Sequence, residues 1–454
     1  MPTTLDVAQA IDHARPGRFQ FGLLFMCGLC LILDGFDVQS MGYVAPAIIR
    51  DWGIERASLG PVFGAGLFGM LLGALAFSAL ADRLGRRPVL IGATLFFSLC
   101  MLATPWVHQV STLLALRFVT GLGLGAIMPN AMSLAGEYSP SRSRVTRMML
   151  VSCGFTLGAA LGGFLSAWLI PRFGWSAVFI VGGIVPLLLA LAMLAWLPES
   201  IQFLVLRGRA HGRDRQRIAG WLQRIDPSVR LASDTRLLVS EPPAAGMPVV
   251  QLFQSGRASV TILLWIVNFM NLINLYFLSN WLPTLVRDAG YATDTAVLVG
   301  TTLQVGGVIG TLALGRLVER FGFVRVLGTC FAIACVAIAT IGRSAAALPL
   351  LAGAVFVAGF CVVGGQPAVN ALAAVYYPTA LRSTGIGWSL GIGRIGSVVG
   401  PVIGGQLIAL HWSNASLFVA AAIPAAISAV MIAALALRGD PARRPPAPQV
   451  GQAG

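Results

Sequence analysis

Apolar runs of about 20 residues, broken by short polar or glycine-rich turns, recur twelve times along the chain. Each run is long enough to cross a bilayer as a helix at 1.5 Å per residue. The runs fall at 21–44, 58–81, 88–106, 112–135, 146–169, 175–197, 258–281, 296–318, 325–342, 347–372, 384–409 and 415–437. The strict alternation of a membrane β-barrel is absent, so the pattern predicts an all-α integral membrane protein. The polar stretch 1–20 leads straight into a full-length span and reads as an N-terminal tail, not a cleaved signal. The polar, arginine-rich stretch 198–257 separates spans six and seven. The Pro- and Ala-rich end, 438–454, is expected to be disordered.

The pattern also repeats. Gly73–Leu90 aligns without a gap on Gly310–Leu327, with eight identities in eighteen positions, at an offset of 237. A second set matches at an offset of 238: Phe118 and Gly121 with Phe356 and Gly359, Pro129 with Pro367, Tyr138 and Pro140 with Tyr376 and Pro378, Gly158 and Gly162 with Gly396 and Gly400. Six spans separate the copies, so both have the same orientation. The expectation is two parallel six-helix halves, 21–197 and 258–437, which implies alternating access around a site near the midplane.

Composition agrees. Of 454 residues, 57% are hydrophobic and 11% charged, against roughly 25% charged in soluble domains. The net charge of +14 comes from 31 arginines and no lysine. On the predicted spans, 24 arginines lie on one side, 5 on the other and 2 inside the membrane. That skew marks the basic side, which holds both termini, as cytoplasmic; it reflects topology and does not point to nucleic acid. The seven cysteines sit in apolar segments, and Cys27 and Cys30, spaced as CxxC, read as small packing residues.

Against this background Asp34 and Asp37 stand out, because both fall inside span one and share a helix face. An ionisable group at that depth costs a few kcal/mol and is usually functional. They are the candidates for proton coupling. Arg117, near the start of span four, lies roughly 9 Å to the non-cytoplasmic side of its helix centre, and Asp37 roughly 7 Å. The two are positioned to pair, the alternative being that Arg117 snorkels to the surface. Arg394, in the glycine-rich run Gly391-Ile-Gly-Arg-Ile-Gly396, presents a fork suited to a carboxylate; the alternative is a structural partner for Asp34 or for a helix C-terminus. Asn268, Asn271, Asn274 and Tyr276 in span seven, Gln304 in span eight, Gln366 and Asn370 in span ten and Trp388 in span eleven are candidates to hydrogen-bond or stack on a substrate ring. Interhelical adhesion is the competing role. Asn268, Asn271 and Asn274 are expected along roughly one face.

The loop Asp82-Arg83-Leu-Gly85-Arg86-Arg87 and its degenerate copy Glu319-Arg320-Phe-Gly322 read as a gating element in which Asp82 caps a neighbouring helix and pairs with arginines. Glu137 belongs to the same end of the molecule, with Arg142, Arg144 or Arg382 as prospective partners. No cofactor or metal is expected, since the spans carry neither a nucleophile–base pair nor a cluster of metal ligands, which argues against an intramembrane enzyme.

Taken with Arg117-Phe-Val-Thr-Gly-Leu-Gly-Leu-Gly-Ala-Ile-Met-Pro-Asn130, Glu137-Tyr-Ser-Pro140, Leu197-Pro-Glu-Ser200, Ser279-Asn-Trp-Leu-Pro-Thr284 and Tyr377-Pro378, these motifs resemble the aromatic acid:proton symporters of the major facilitator superfamily. The resemblance implies a multi-pass bacterial inner-membrane protein that imports a phenolic or benzoic acid with protons, with a monomer as the default state. It implies that Asp34 and Asp37 serve coupling and translocation, Asp82 gating, and Arg394 the carboxylate. One feature points the other way. Gly396-Ser-Val-Val-Gly400-Pro401-Val-Ile-Gly404-Gly405 is similar to the glycine-proline pattern of proton antiporters, though it lies in span eleven instead of span five. An exporter of organic anions or drugs, and a membrane receptor for the same ligand, therefore stay open.

Overall fold

A computed structural model describes residues 4–14, 17–206, 212–226, 235–238, 249–254, 256–344, 347–377 and 379–437. The tail 438–454, Arg207, Arg209, Pro378 and the Arg382 side chain lie outside the described residues. In chain order the helices are α1 (Val7–His13), α2 (Arg18–Trp52), α3 (Leu59–Leu84), α4 (Arg86–Ala103), α5 (Val110–Glu137), α6 (Ser141–Phe173), α7 (Ser176–Trp196), α8 (Ile201–Leu206) and α9 (Gly212–Ile225). They continue as α10 (Ala258–Asp288), α11 (Thr293–Phe321), α12 (Phe323–Ile341), α13 (Leu348–Val362), α14 (Gln366–Tyr376), α15 (Thr379–Ala409) and α16 (Asn414–Ala436). Among the described residues, twelve spans are long and apolar enough to cross a membrane, with α13 and α14 together forming the tenth.

Two features depart from the sequence pattern. The tenth span is not one rod: it breaks at Gly364-Gly365, where Cβ atoms would run into the carbonyls of Phe360 and Cys361. The N-terminal segment is also tied down, because β1 (Thr4–Asp6) pairs in parallel with β2 (Arg236–Leu238) of the polar segment, Leu5 opposite Leu237.

The chain forms two compact units, Met1–Pro243 with Ala292–Leu298, and Ala244–Tyr291 with Val299–Gly454. Within each, the same glycines seat the same helices. In the first unit a Cβ on Gly158 of α6 would enter the carbonyl of Ile32 of α2, and one on Gly162 would strike the Phe36 ring. In the second, Gly396 and Gly400 of α15 stand in that relation to Phe269 and Ile273 of α10, each 237 residues on from Ile32 and Phe36. Gly69 and Gly121 close the α3–α5 contact, and Gly306 and Gly359 close that of α11 with α13. Lipid gives helices no hydrophobic reason to associate, so close backbone contact across small residues supplies the attraction. The repeat is therefore a repeat of contacts as well as of letters. Pro46 of α2 and Pro283 of α10 occupy equivalent places at the same offset.

Gly158→Ala puts a methyl group into backbone and is expected to cost roughly 1–3 kcal/mol, whereas Gly28→Ala points into open space and is expected to be neutral. Thermal unfolding of the two detergent-purified variants checks this: a lower midpoint for Gly158→Ala alone is expected.

Candidate functional site

Three polar clusters interrupt the apolar interior. The first lies in α2. Asp34 and Asp37 are 0% and 1% exposed, and Arg117 of α5 is 5% exposed. Arg117 Nη1 lies 3.4 Å from Asp37 Oδ1. The arginine is walled in by Met101 Sδ at 3.3 Å from Nη2 and by the Phe179 ring, whose centroid is 5.0 Å from the guanidinium carbon. Arg117 thus faces the interior instead of snorkelling. The pair is longer than the roughly 2.7–2.9 Å of a tight charge-assisted bond, so it is Coulombic first and a hydrogen bond second.

The second cluster surrounds the break in the tenth span. Breaking a helix strands carbonyls that hydrocarbon cannot satisfy. Asn271 of α10 fills that need: its Nδ2 donates to Val362 O, 3.2 Å, at the end of α13, and to Gln366 Oε1, 2.7 Å, at the start of α14. Gln366 Nε2 in turn donates to Asn268 Oδ1, 2.9 Å, and to Asn370 Oδ1, 3.2 Å. Asn268 Nδ2 reaches Ser389 Oγ of α15, 3.0 Å. Four carboxamides on two spans form one network, joined to a third by Ser389. Discontinuous spans with polar groups at the gap are the usual setting of transporter binding sites.

The remaining candidates separate from this network. A spacing of three drifts about 60° per step around a helix. Asn274 has therefore turned away from Asn268, and its amide bonds Ala421 O (2.6 Å) and Ala425 N (3.0 Å) of α16. It joins helices and does not share the face expected of it. Trp388 does not share a face with Arg394. The six-residue step between them turns the helix by about 120°, and the Trp388 ring, 44% exposed, stacks on Trp265 at 6.0 Å. Gln304 Nε2 donates to Ser279 Oγ at 3.0 Å, and buried Tyr276 accepts Asn280 Nδ2 on its carbonyl at 2.8 Å. Arg394 is partly buried, beside the stripe Ser389, Gly393, Gly396 that packs on α10.

At the residue level the halves differ in one telling way. At the offset of 237 that relates Ile32 to Phe269, Asp34 falls on Asn271 and Asp37 on Asn274. The second half carries amides where the first carries acids.

The third cluster is the arginine-rich end of the first unit, where Glu199 caps the start of α4. Asp82 sits exposed on the last turn of α3. Glu199 Oε1 accepts from Arg86 N (3.0 Å), Arg87 N (3.2 Å) and Ser200 N (2.8 Å). The turn before it needs Gly85 twice over, for its φ of 108° and because a Cβ would enter the Glu199 carboxylate. Glu137 pairs with Arg86 Nε at 2.8 Å, not with Arg142 or Arg144, and accepts from Ser133 Oγ at 3.2 Å and from Ser200 Oγ. Arg87 Nη2 donates to Leu194 O at 2.6 Å, and Tyr138 Oη to Glu199 O at 2.7 Å. Arg83 lies exposed beside Asp82. In the second half Gly322 keeps the left-handed turn at φ 84°, but Phe323 and Val324 replace the two arginines. Glu319 is exposed and Arg320 lies over the Phe321 ring at 5.2 Å. Leu197-Pro-Glu-Ser200 was visible as a motif, but nothing in its spacing linked Glu199 to a helix start 112 residues upstream.

Two units of six spans with repeated packing and polar groups buried in apolar helices are the architecture of a membrane transporter. The chain belongs to the Major Facilitator Superfamily, whose family model matches residues 27–247 and 264–453. It is similar to the 4-hydroxybenzoate transporter PcaK of Pseudomonas putida, 42% identical over 94% of this chain and 95% of that one. It is also similar to the gallate transporter of Pseudomonas putida, 40% identical over 96% and 97%. Among solved structures, a bacterial homolog of the human lysosomal transporter Spinster in an inward-facing, occupied conformation shares the fold, with a TM-score of 0.74, 17% identity, and coverage of 95% of this chain and 100% of that one. Transporters of this family are not enzymes.

Glu199→Gln keeps an acceptor but removes the negative charge at the start of α4 and is expected to cost about 0.3–1 kcal/mol. Amide hydrogen exchange at Arg86 and Arg87 is expected to speed up in that variant while exchange in α10 is unchanged.

Proposed function

We propose that this chain imports a small aromatic carboxylate across the bacterial inner membrane together with protons, both termini lying in the cytoplasm. The observation that carries the reading is the buried pair of Asp37 with Arg117 beside a second buried acid, Asp34. The relatives named for 4-hydroxybenzoate and gallate supply the substrate class.

The coupling follows from charge balance. Removing one partner of a buried ion pair costs roughly 3–5 kcal/mol, because the other charge is left uncompensated. A proton arriving on Asp37 from the periplasm does this to Arg117 and removes one negative charge from the protein. An incoming aromatic carboxylate restores it, so proton and anion enter as a matched pair. Arg394 is assigned the carboxylate, and the carboxamides of Asn268, Asn271, Gln366 and Asn370 the ring substituents. Amides suit this task because they donate and accept at once and do not titrate. In the cytoplasm, loss of the proton recharges Asp37, which reclaims Arg117 as the anion leaves Arg394. One proton per anion makes the cycle electroneutral. A second, on Asp34, makes it driven by potential at about 2.3 kcal/mol per charge per 100 mV. The charged knot of Arg86, Glu137 and Glu199 is assigned to gating at the cytoplasmic face.

Labelled 4-hydroxybenzoate is expected to accumulate in proteoliposomes whose lumen is alkaline, and a protonophore is expected to abolish the accumulation. Accumulation only in vesicles with an acid lumen would establish proton-exchanging export instead, and binding without flux in either would establish a receptor.

A further inference from the structure

A cavity in the first unit borders the third of these clusters and shares Arg87 and Glu199 with it. It is a cleft of about 1030 Å³ at the arginine-rich end, formed by α2, the end of α7, the start of α4 and the polar-segment helix α9. Its mouth carries Arg18, Arg87, Arg217 and Arg224, with Trp221 among them. Its one lining carboxylate, Glu199, is already engaged by three backbone N–H groups, and four arginines stand against it along the lining. Arg87 Nε is buried there with no hydrogen-bond acceptor. Away from the mouth the wall becomes wholly apolar, running down α2 from Arg18 to Leu29, roughly 16 Å along the helix. That wall opens sideways, since Phe25 is 66% exposed and Trp196 of the facing α7 is 74% exposed.

A cationic mouth above a long apolar wall is a poor match for a small soluble anion, which has nothing to place against the wall. It matches a molecule with an anionic head and an acyl chain. Basic pockets between spans, flanked by tryptophan at the membrane surface, bind anionic lipid heads. We propose that this cleft is a binding site for an anionic phospholipid. The phosphodiester lies among Arg18, Arg87, Arg217 and Arg224, and one acyl chain lies along α2. The site ties α9 to the membrane surface, and through Arg87 it adjoins the capped start of α4.

The test is native mass spectrometry of the full-length, detergent-purified protein titrated with dioleoyl phosphatidylglycerol or, separately, dioleoyl phosphatidylcholine. Wild type is expected to retain phosphatidylglycerol and not phosphatidylcholine. The double variant Arg217→Gln/Arg224→Gln is expected to lose phosphatidylglycerol affinity by roughly 25-fold, about fivefold for each arginine, while Arg217→Lys/Arg224→Lys retains it. Equal retention of the two lipids by wild type would overturn the proposal, as would undiminished phosphatidylglycerol binding by the glutamine variant. Displacement of the lipid by inorganic phosphate or 4-hydroxybenzoate would also overturn it, showing a site for soluble anions. Should the glutamine variant fail to fold, the lipid selectivity of wild type and its loss in high salt decide the matter.

Discussion

A carboxyl group stripped of water must either be neutral or face a cation, and the first span is organised around that constraint. Asp37 meets Arg117 from another helix, and the arginine is enclosed by Met101 and Phe179 so that it has few other places to go. The surrounding structure holds these groups where they are. Gly35, beside Asp34, lies so close to the backbone of Phe155 that no side chain fits, and Gly158 clasps the same helix one turn earlier. The acids therefore sit on a helix fixed by its glycines, and what remains adjustable is their charge.

The second half uses the same scaffold for different chemistry. Its tenth span breaks, Asn271 ties the loose ends, and neutral amides occupy the places of the two acids. A helix break that exposes carbonyls is tolerable only where polar groups receive them, so the break and the amide network explain each other. In the proposed cycle, titration falls to one half and recognition to the other. This is economical, because a recognition site that also titrated would lose its substrate as pH changed.

Much of this was legible in the chain. Span number and type follow from apolar runs long enough to be unambiguous, and the internal repeat followed from glycines whose spacing is dictated by helix contact. Asp34, Asp37 and Arg117 were legible because charge in an apolar run is expensive and has few explanations. What could not be read depends on helix phase or on distant partners. The drift that carries Asn274 to α16 and Trp388 away from Arg394 needs real rotation, not a count of spacing. Two glycines in an apolar run do not lower hydropathy enough to reveal the break at Gly364. The capping role of Glu199 depends on a contact between the end of span six and the start of span three.

The account stands on Asp37 as the group that gains and loses the proton. It is tested most directly in proteoliposomes by comparing wild type with Asp37→Asn in two assays, substrate-induced alkalinisation of the medium and exchange of labelled for unlabelled 4-hydroxybenzoate. Alkalinisation in wild type, its loss in Asp37→Asn and persistence of exchange in both is the predicted result. Undiminished proton uptake by Asp37→Asn would contradict it.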